Sequence, residues 1–265
     1  MARVLITGCS SGIGRASAVE LARRGHEVVA TARRVETLAD LDVVVRLALD
    51  VTDPDSVAAA VESAGPVDAL VNNAGWSISG PIEAVPLDRV REMFDVNVFG
   101  AARMMQAIAP GLRAQGPGGV IVNVSSIAGR VGQPLGGYYC ASKFALEALS
   151  EALKYELSHW GVRVVVVEPG FIDTNLPENA ASVGNDVPPW DALHAMWEGG
   201  RGRLGADNRP GPEIVAIAIA DAIDDPATPF RVPVGDDAHL VLNARAAMDD
   251  AAFEASMRSV LELEW

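Results

Sequence analysis

Short runs of apolar, mostly β-branched residues recur along the chain, and longer segments with helical spacing of apolar positions separate them. The short runs predict buried strands, because strands covered on both faces read as continuous apolar stretches. They lie at Val4–Thr7, Val28–Thr31, Val43–Leu49, Ala69–Asn72, Val120–Val124, Val162–Val167 and Phe230–Val234. The helical patterns lie at Gly12–Arg24, Pro54–Ala64, Leu87–Ala114 (one long helix or two joined) and Tyr138–Trp160. This alternation predicts one α/β domain over residues 1–265, a doubly wound parallel sheet of about seven strands with helices on both faces.

The segment 175–212 interrupts the alternation. It is rich in Pro, Gly, Asn and Asp, and its one short helical pattern runs from Trp190 to Trp197. A long irregular segment in a compact domain is usually functional or disordered. We interpret 175–212 as a substrate lid, with a plain surface excursion as the alternative.

Charge and composition exclude several classes of function. The net charge is -14, which disfavours a nucleic-acid partner or an anionic membrane surface. Ten acidic residues and three arginines lie between Asp221 and Trp265, and we interpret this end as solvated. We expect a cytoplasmic protein, since Val4 follows directly on a short polar start and no apolar run is long enough to span a membrane. The two cysteines, Cys9 and Cys140, suggest a reducing compartment and neither a disulfide framework nor a metal cluster, so no metal is expected.

A glycine-rich loop follows the first predicted strand directly. Glycines allow close approach of a ligand to the backbone, and the N-terminus of the following helix attracts a pyrophosphate. Because a strand precedes the loop and a helix follows it, the pattern is typical of a Rossmann-type dinucleotide site. The loop residues expected at the cofactor are Gly8, Ser10, Ser11, Gly12, Ile13 and Gly14.

The same loop matches the G-x-S-x-G nucleophile elbow of α/β-hydrolases, with Ser10 as nucleophile. Asp237 and His239 would then complete a triad. The position of the loop argues against this alternative, because a hydrolase elbow follows several earlier strands and this loop follows the first. The hydrolase is therefore a remote alternative.

Further motifs follow in a specific order. Asn72-Asn73-Ala74-Gly75 ends the fourth strand, Asn97 lies in a predicted helix, and Ser125-Ser126 ends the fifth strand. Tyr139-Cys140-Ala141-Ser142-Lys143 opens a long helix, and Pro169-Gly170 ends the sixth strand. With the glycine loop, these motifs make the chain from Val4 to about Thr174 resemble the short-chain dehydrogenase/reductase family. The stretch from Tyr139 to Leu149 is most similar to hydroxysteroid and retinol dehydrogenases.

The resemblance implies an oxidoreductase in which Asn97, Ser126, Tyr139 and Lys143 are catalytic. It selects Ser126 over Ser125 by the distance in sequence to Tyr139, and it implies that Asn97 holds a water linking Lys143 to solvent. The further cofactor contacts that it implies are Asp50 and Val51 at the adenine, Asn73, Ala74 and Gly75, Tyr139 and Lys143, and Pro169, Gly170, Ile172 and Thr174 near the nicotinamide.

The chemistry of the Tyr139–Lys143 pair supports that implication. The two residues are four apart and share a helix face. A phenol has a pKa near 10, and a neighbouring ammonium favours its ionised form. Tyr139 can then exchange a proton with a carbonyl or alcohol oxygen, and Ser126 can stabilise charge on that oxygen. By the same spacing Tyr138 is the wrong tyrosine.

The end of the second strand predicts the cofactor. NAD sites usually place an acidic residue there, whereas this chain has Arg33 and Arg34. Guanidinium groups suit a 2′-phosphate, so NADP(H) is expected, with NAD(H) less favoured.

The substrate is predicted only in outline. Candidate pocket residues are mostly apolar and predict a hydrophobic ketone or alcohol. They are Trp76, Arg130, Val131, Gln133, Phe171, Trp190, Met196 and Trp197. The segments Leu87–Ala114 and Tyr138–Trp160 correspond to helices that commonly pair in the family, which implies a homodimer or homotetramer.

A second class of function stays open, namely a nucleotide-binding regulatory protein that keeps the fold. The complete set of Asn97, Ser126, Tyr139 and Lys143 favours an active oxidoreductase.

Overall fold

One parallel sheet organises the protein. The computed structural model describes residues 1–174, 181–184 and 187–264. Within them the strands are β1 (Arg3–Ile6), β2 (Glu27–Ala32), β3 (Val45–Ala48), β4 (Ala69–Asn72), β5 (Ile78–Ser79), β6 (Val120–Val124), β7 (Arg163–Pro169), β8 (Ala181–Ser182) and β9 (Arg231–Val234). The central sheet has seven of these strands in the order β3-β2-β1-β4-β6-β7-β9, all parallel, and β5 pairs with β8 separately. The predicted fold class is confirmed.

The helices of the described residues cover both faces of the sheet and one end of it. They are α1 (Gly12–Arg23), α2 (Pro54–Ala64), α3 (Leu87–Phe94), α4 (Ala101–Gln115), α5 (Gly137–Ser158), α6 (Trp190–Arg201), α7 (Glu213–Asp224), α8 (Asp236–Ala247) and α9 (Asp250–Leu261). The predicted segment Leu87–Ala114 is two helices, which a π-helical turn at Asp95–Gly100 joins. Short 3-10 helices occupy Val35–Leu38, Ile127–Gly129 and Gly202–Leu204.

Side chains that alternate along each strand divide the core into two layers. In β1, Val4 and Ile6 face the cluster beneath α1 and α7, whereas Leu5 faces the cluster beneath α2, α4 and α5. Both faces are buried, because successive side chains in a strand point to opposite sides. This explains why the strands read as continuous apolar runs.

The acid-rich end of the chain is more than a solvated tail, and that interpretation is wrong for its helices. A third apolar cluster contains Trp197 of α6, Val241 of α8 and Leu261 of α9. The carboxylates of Asp250, Glu254 and Glu262 lie at exposed positions. These three charges are therefore exposed on a C-terminal segment whose apolar side chains are packed.

Two further properties concern the described residues. Within 1–174, 181–184 and 187–264, no helix has the length and apolar character that a membrane span requires. The same residues include no group of three or more His, Cys, Asp or Glu side chains placed to hold a metal ion. Cys9 and Cys140 are free and buried.

Candidate functional site

The sequence motifs meet at the carboxyl ends of β1, β4, β6 and β7. The strand order runs outward in opposite directions from the β1–β4 pair, so a crevice opens at this edge of the sheet. The loops that follow these four strands carry the glycine loop, the Asn73 segment, Ser126 and Gly170.

The glycine loop turns sharply into α1. Gly8 has φ +76° and Gly12 has φ +54°, a region that side-chain-bearing residues rarely adopt. A Cβ on Gly14 would overlap the carbonyl oxygen of Gly8, so glycine is required where helix and loop meet. Ser11 is the N-cap of α1, but its side chain makes no capping hydrogen bond. The first backbone N–H groups of the helix therefore face the crevice without an acceptor from Ser11.

The Asn73 segment braces this loop. The side-chain amide of Asn73 donates to the carbonyl oxygens of Thr7 at 2.9 Å and Gly8 at 3.1 Å. The Thr7 hydroxyl in turn accepts from the backbone amides of Asn73 and Ala74, each at 3.0 Å. A Cβ on Gly75 would lie 3.2 Å from Asn97 Oδ1, so Gly75 lets Asn97 approach. Hydrogen bonds between segments far apart in sequence thus fix the cofactor-side loops.

Asn97 is buried in the π-helical turn between α3 and α4, a type of turn often found at functional sites. Its Oδ1 accepts from the Trp76 amide at 3.0 Å. Its Nδ2 donates to the Trp76 carbonyl at 2.9 Å and to Ser142 Oγ at 3.1 Å. The protein itself therefore uses both N–H groups of the side chain.

Ser126, Tyr139 and Lys143 lie together at the start of α5. Ser126 hydrogen-bonds the Tyr139 hydroxyl, and its Oγ also accepts from the Ala128 amide at 3.1 Å. The Lys143 ammonium donates to the Val124 carbonyl at 3.0 Å and lies 5.8 Å from the centre of the Tyr139 ring. The Tyr138 hydroxyl points elsewhere and donates to the Ile82 carbonyl at 3.2 Å.

Burial controls the acid–base state of this group. It raises the pKa of Tyr139 to about 12, although the hydrogen bond with Ser126 opposes the shift. Burial lowers the pKa of Lys143 to about 8, and the charge of Glu147 opposes that change. The expectation that Lys143 keeps the Tyr139 pKa low is therefore not met. The phenol is protonated at neutral pH, which is the form that donates a proton.

The predicted 2′-phosphate residues follow β2. Arg33 and Arg34 are exposed, and neither forms a salt bridge with a described residue. Burial raises the pKa of Asp50, but hydrogen bonds from Thr52 and the charges of Arg33 and Arg103 outweigh burial and leave the Asp50 pKa below its usual value. The positive potential of Arg33 therefore reaches the site expected for the adenine.

Val51, next to Asp50, is buried against the π-helical turn. A Cβ on Gly100 would lie 2.6 Å from Val51 Cγ2, so the glycine lets the turn pack closely on this side chain. Arg15 of α1, which the sequence analysis did not select, is ion-paired with Asp40 and contacts the Thr37 carbonyl.

The Pro169–Gly170 turn depends on a residue that was assigned a different role. Asp237 accepts from the Phe171 amide at 2.5 Å, and its carboxylate occupies the space where a Cβ of Gly170 would lie. The Asp237 carboxylate therefore supports this turn. His239 of α8 and Ser10 of the glycine loop are both exposed. The Ser10 hydrolase alternative receives no support from this arrangement.

The residues after the turn extend toward the glycine loop. Ile172 is buried, and Thr174 Cβ would lie 3.4 Å from a Cβ on Gly12. Pro169, Gly170, Ile172 and Thr174 therefore close one side of the crevice.

The predicted lid is partly described. Residues 175–180 and 185–186 lie outside the described residues. In the described part, β8 pairs with β5, and Trp190 Nε1 donates to Glu83 Oε1 at 3.0 Å. Both contacts join the lid to the loop that follows β4.

A cleft of about 230 Å³ contains Ser126, Tyr139 and Phe171, and Arg201 and Arg209 also line it. Of the candidate pocket residues, Val131, Gln133, Phe171 and Trp197 line this cleft or the cavity beside it. Trp76 packs against the same apolar cluster as Tyr139 and stacks with Arg89. Of the other candidates, Arg130 pairs with Glu168, Trp190 contacts Glu83, and Met196 lines neither cavity.

Comparisons with known proteins agree with this arrangement. The sequence model of the family described as short chain dehydrogenase matches residues 2–183. An uncharacterized oxidoreductase of Bacillus subtilis, YusZ, is 34% identical and covers 97% of both chains. Human 17-beta-hydroxysteroid dehydrogenase type 1 is 43% identical over 73% of this chain and 63% of its own length.

Solved structures are similar over nearly the whole chain. A short chain dehydrogenase from Burkholderia cenocepacia in complex with NADP has a TM-score of 0.79 at 30% identity, with 97% of each chain covered. One from Burkholderia phymatum in complex with NAD has a TM-score of 0.76 at 27% identity, with 96% of this chain and 94% of that chain covered. The protein described here belongs to the short-chain dehydrogenase family and is an oxidoreductase of that family.

Proposed function

We propose that the protein is an NADP(H)-dependent oxidoreductase that interconverts a hydrophobic ketone and a secondary alcohol, with Tyr139 as general acid and base. The observation that carries this proposal is the group formed by Ser126, Tyr139 and Lys143, in which Ser126 and Tyr139 line a cleft large enough for a small molecule and Lys143 is buried behind them. A protonated phenol beside a serine hydroxyl is suited to donate a proton to a carbonyl oxygen as that oxygen gains charge.

The loops of the crevice fit a dinucleotide. Gly8 and Gly12 adopt backbone conformations that favour glycine and turn the loop into α1, and Gly14 lets that helix start pack on the loop, so that the helix N-terminus lies where a phosphate would bind. Arg33 and Arg34 have no carboxylate partner among the described residues and are available for a 2′-phosphate. The relative in complex with NADP supports this choice, although another is in complex with NAD.

The proton path uses residues of this chain. When bound, the nicotinamide cofactor supplies the hydride for carbonyl reduction or accepts it in alcohol oxidation. Tyr139 donates its hydroxyl proton to the carbonyl oxygen, and Ser126 donates a hydrogen bond to the same oxygen. Lys143, whose burial lowers its pKa to about 8, is the stronger acid of the pair and can return a proton to the phenolate that remains.

The decisive variant is Tyr139→Phe. Loss of the proton donor is expected to lower kcat for ketone reduction by about 100- to 10,000-fold without change in NADPH affinity. Absorbance of the reduced nicotinamide measures turnover, and fluorescence titration measures binding. Tyr138→Phe is the matched control and is expected to keep wild-type turnover, because its hydroxyl donates to the Ile82 carbonyl and not to a group of the proposed catalytic site. Wild-type turnover by Tyr139→Phe would refute the assignment of Tyr139, whereas NADPH binding without turnover by the wild type would favour a nucleotide-binding regulatory protein.

The cofactor assignment has its own test. Arg33→Ala is expected to lower kcat/KM for NADPH by roughly 10- to 100-fold and to leave NADH nearly unchanged, because a charged hydrogen bond contributes about 1.5–3 kcal/mol. Arg23→Ala, which removes an exposed arginine paired with Glu20, is the control. A wild-type enzyme that prefers NADH would contradict the proposal.

We also propose that the protein is a homo-oligomer that associates through α4 and α5. Phe144, Leu149 and Tyr155 of α5 are exposed, as is Phe99 in the turn before α4. Large apolar side chains that are exposed in a single chain are candidates for burial between subunits. Light scattering of the purified chain distinguishes a dimer or tetramer from a monomer.

A further inference from the structure

A second cavity, of about 360 Å³, adjoins the cleft that contains Tyr139. The two share six lining residues: Ile127, Ala128, Gln133, Pro134, Phe171 and Trp197. We call this second cavity the chamber. The shared walls place the chamber directly beside the part of the cleft that contains Tyr139.

The C-terminal helices form the far wall of the chamber. Val241 of α8 and Phe253, Met257 and Leu261 of α9 line it, together with Leu204. Two charged residues of α9, Glu254 and Arg258, also line the chamber; both are exposed and pair with each other at 2.9 Å. The interior is therefore apolar, and charge is confined to an exposed pair.

The size of the chamber argues for a ligand. Protein interiors are close-packed, and voids larger than a water molecule are few. An engineered apolar cavity of roughly 150 Å³ is already large enough to bind benzene. The chamber exceeds twice that volume and falls within the range of about 300–1,000 Å³ typical of small-molecule sites.

The wall is fixed in place. Gly200 of α6 packs against the backbone of Leu261, where a Cβ would lie 2.5 Å from the Leu261 carbonyl oxygen. Arg203 donates from Nε to the Val260 carbonyl at 2.6 Å and pairs with Glu262 at 3.1 Å. These contacts hold the C-terminal end of α9 against the lid, so the depth of the chamber is set by packed structure.

We propose that the chamber holds the apolar body of the substrate, a ketone or secondary alcohol with an extended aliphatic or alicyclic group, and that α9 limits the length of that group. This inference rests on the proposed function of Tyr139. It adds a statement about substrate class: small polar carbonyl compounds leave the chamber empty, and medium-length apolar ones fill it.

A series of linear 2-alkanones from 2-butanone to 2-dodecanone tests the proposal. Each buried methylene is expected to raise kcat/KM by about fourfold, until the chain reaches α9 and the gain stops. Met257→Trp fills the chamber and is expected to lower kcat/KM for 2-decanone at least tenfold while changing 2-butanone less than twofold. Met248→Trp, at a partly exposed position outside the chamber, is the matched control. Cyclohexylacetone, added to the series, tests whether the chamber also accepts an alicyclic group.

Binding separates this inference from the proposed function. Titration calorimetry with NADPH-saturated Tyr139→Phe is expected to show affinity that rises with chain length, with a negative heat-capacity change from apolar burial. If the wild type turns over no ketone but this length dependence persists, the chamber stands and the proposed function fails. Rates and affinities independent of chain length, or equal losses across the series in Met257→Trp, would overturn the chamber.

Discussion

Around the glycine loop, hydrogen bonds within the protein fix the polar side chains, whereas the described part of the lid and the C-terminal helices line an apolar cavity. The first region, which we call the cofactor region, comprises residues 1–174. There Thr7, Asn73, Asn97 and Lys143 all have hydrogen-bond partners from distant segments. The second, the substrate region, comprises residues 187–264 and contributes Trp197, Leu204 and Val241 to a cluster that surrounds the chamber.

The difference follows from what each region must do. Proton transfer requires heavy atoms within hydrogen-bond distance, and a small displacement reduces the rate strongly. A network of short polar contacts supplies that precision. Selection of an apolar substrate requires volume and shape, which a rigid apolar wall supplies without specific hydrogen bonds.

Asp237 joins the two regions. It belongs to α8 in the substrate region, yet its carboxylate accepts from the amide of Phe171 in the cofactor region. Its neighbours include three glycines, Gly170, Gly205 and Gly235, where a Cβ would contact the side chain. Close backbone approach from three segments therefore encloses this one carboxylate.

Of the variants that test the difference between the two regions, Asp237→Ala is expected to change activity and stability most. The variant leaves the part-buried Phe171 amide without its acceptor, at a cost of about 1–3 kcal/mol. Because Phe171 lines both cavities, kcat/KM for a long ketone is expected to fall by about tenfold and the melting temperature by several degrees. Scanning calorimetry and the alkanone assay measure the two effects.

Asp236→Ala is the matched control for this variant, because Asp236 is the exposed neighbour on the same helix turn. It is expected to change neither quantity appreciably. If Asp237→Ala loses stability but keeps wild-type kcat/KM across the alkanone series, the two regions do not communicate through this contact.

Sequence reasoning found the cofactor region because its residues lie in short motifs. The spacing between Tyr139 and Lys143 places both on one helix face. The strand before Gly8 predicts the glycine-rich turn that follows it. The seven strands of the central sheet and the helices from α1 to α6 followed from apolar periodicity, whereas β5, β8 and the helices from α7 to α9 were not predicted. These features depend on neighbours a few residues away, which the sequence shows directly.

The substrate region was harder to predict, because its contacts connect distant residues. Asp237 lies 66 positions from Phe171, and Trp190 lies 107 positions from Glu83. The acidic residues after Asp221 suggested a solvated end and obscured a helical pattern. Phe253, Met257 and Leu261 are spaced by four residues and form the inner face of α9. That spacing was the available signal.

A smaller effect, on stability, is expected from the charged residues packed against α5. They are partly or fully buried and take no part in the proposed proton transfer. Burial and the charge of Glu147 raise the pKa of Glu168 to about 7, against the opposing charges of Arg130 and Arg231. The folded protein therefore binds more protons than the unfolded chain between about pH 4.5 and pH 7. The free energy of unfolding falls as pH rises through this window and is level above it, as far as Glu168 determines it.

Glu168→Gln removes this pH dependence, because the amide stays neutral. Urea unfolding at pH 5 and pH 8 is expected to show that the variant loses less stability than the wild type as the pH rises. Glu151→Gln is the matched control: Glu151 also pairs with Arg231, but the hydrogen bond from that arginine lowers its pKa. The contribution of Glu151 is present above its ordinary pKa and lost in acid, so its variant is expected to run parallel to the wild type from pH 5 to pH 8. If the free energy of unfolding changes equally with pH in Glu168→Gln and in the wild type, then Arg130 and Arg231 keep Glu168 ionised. The charges of this buried cluster would then be held by ion pairs, as hydrogen bonds hold the polar side chains of the cofactor region.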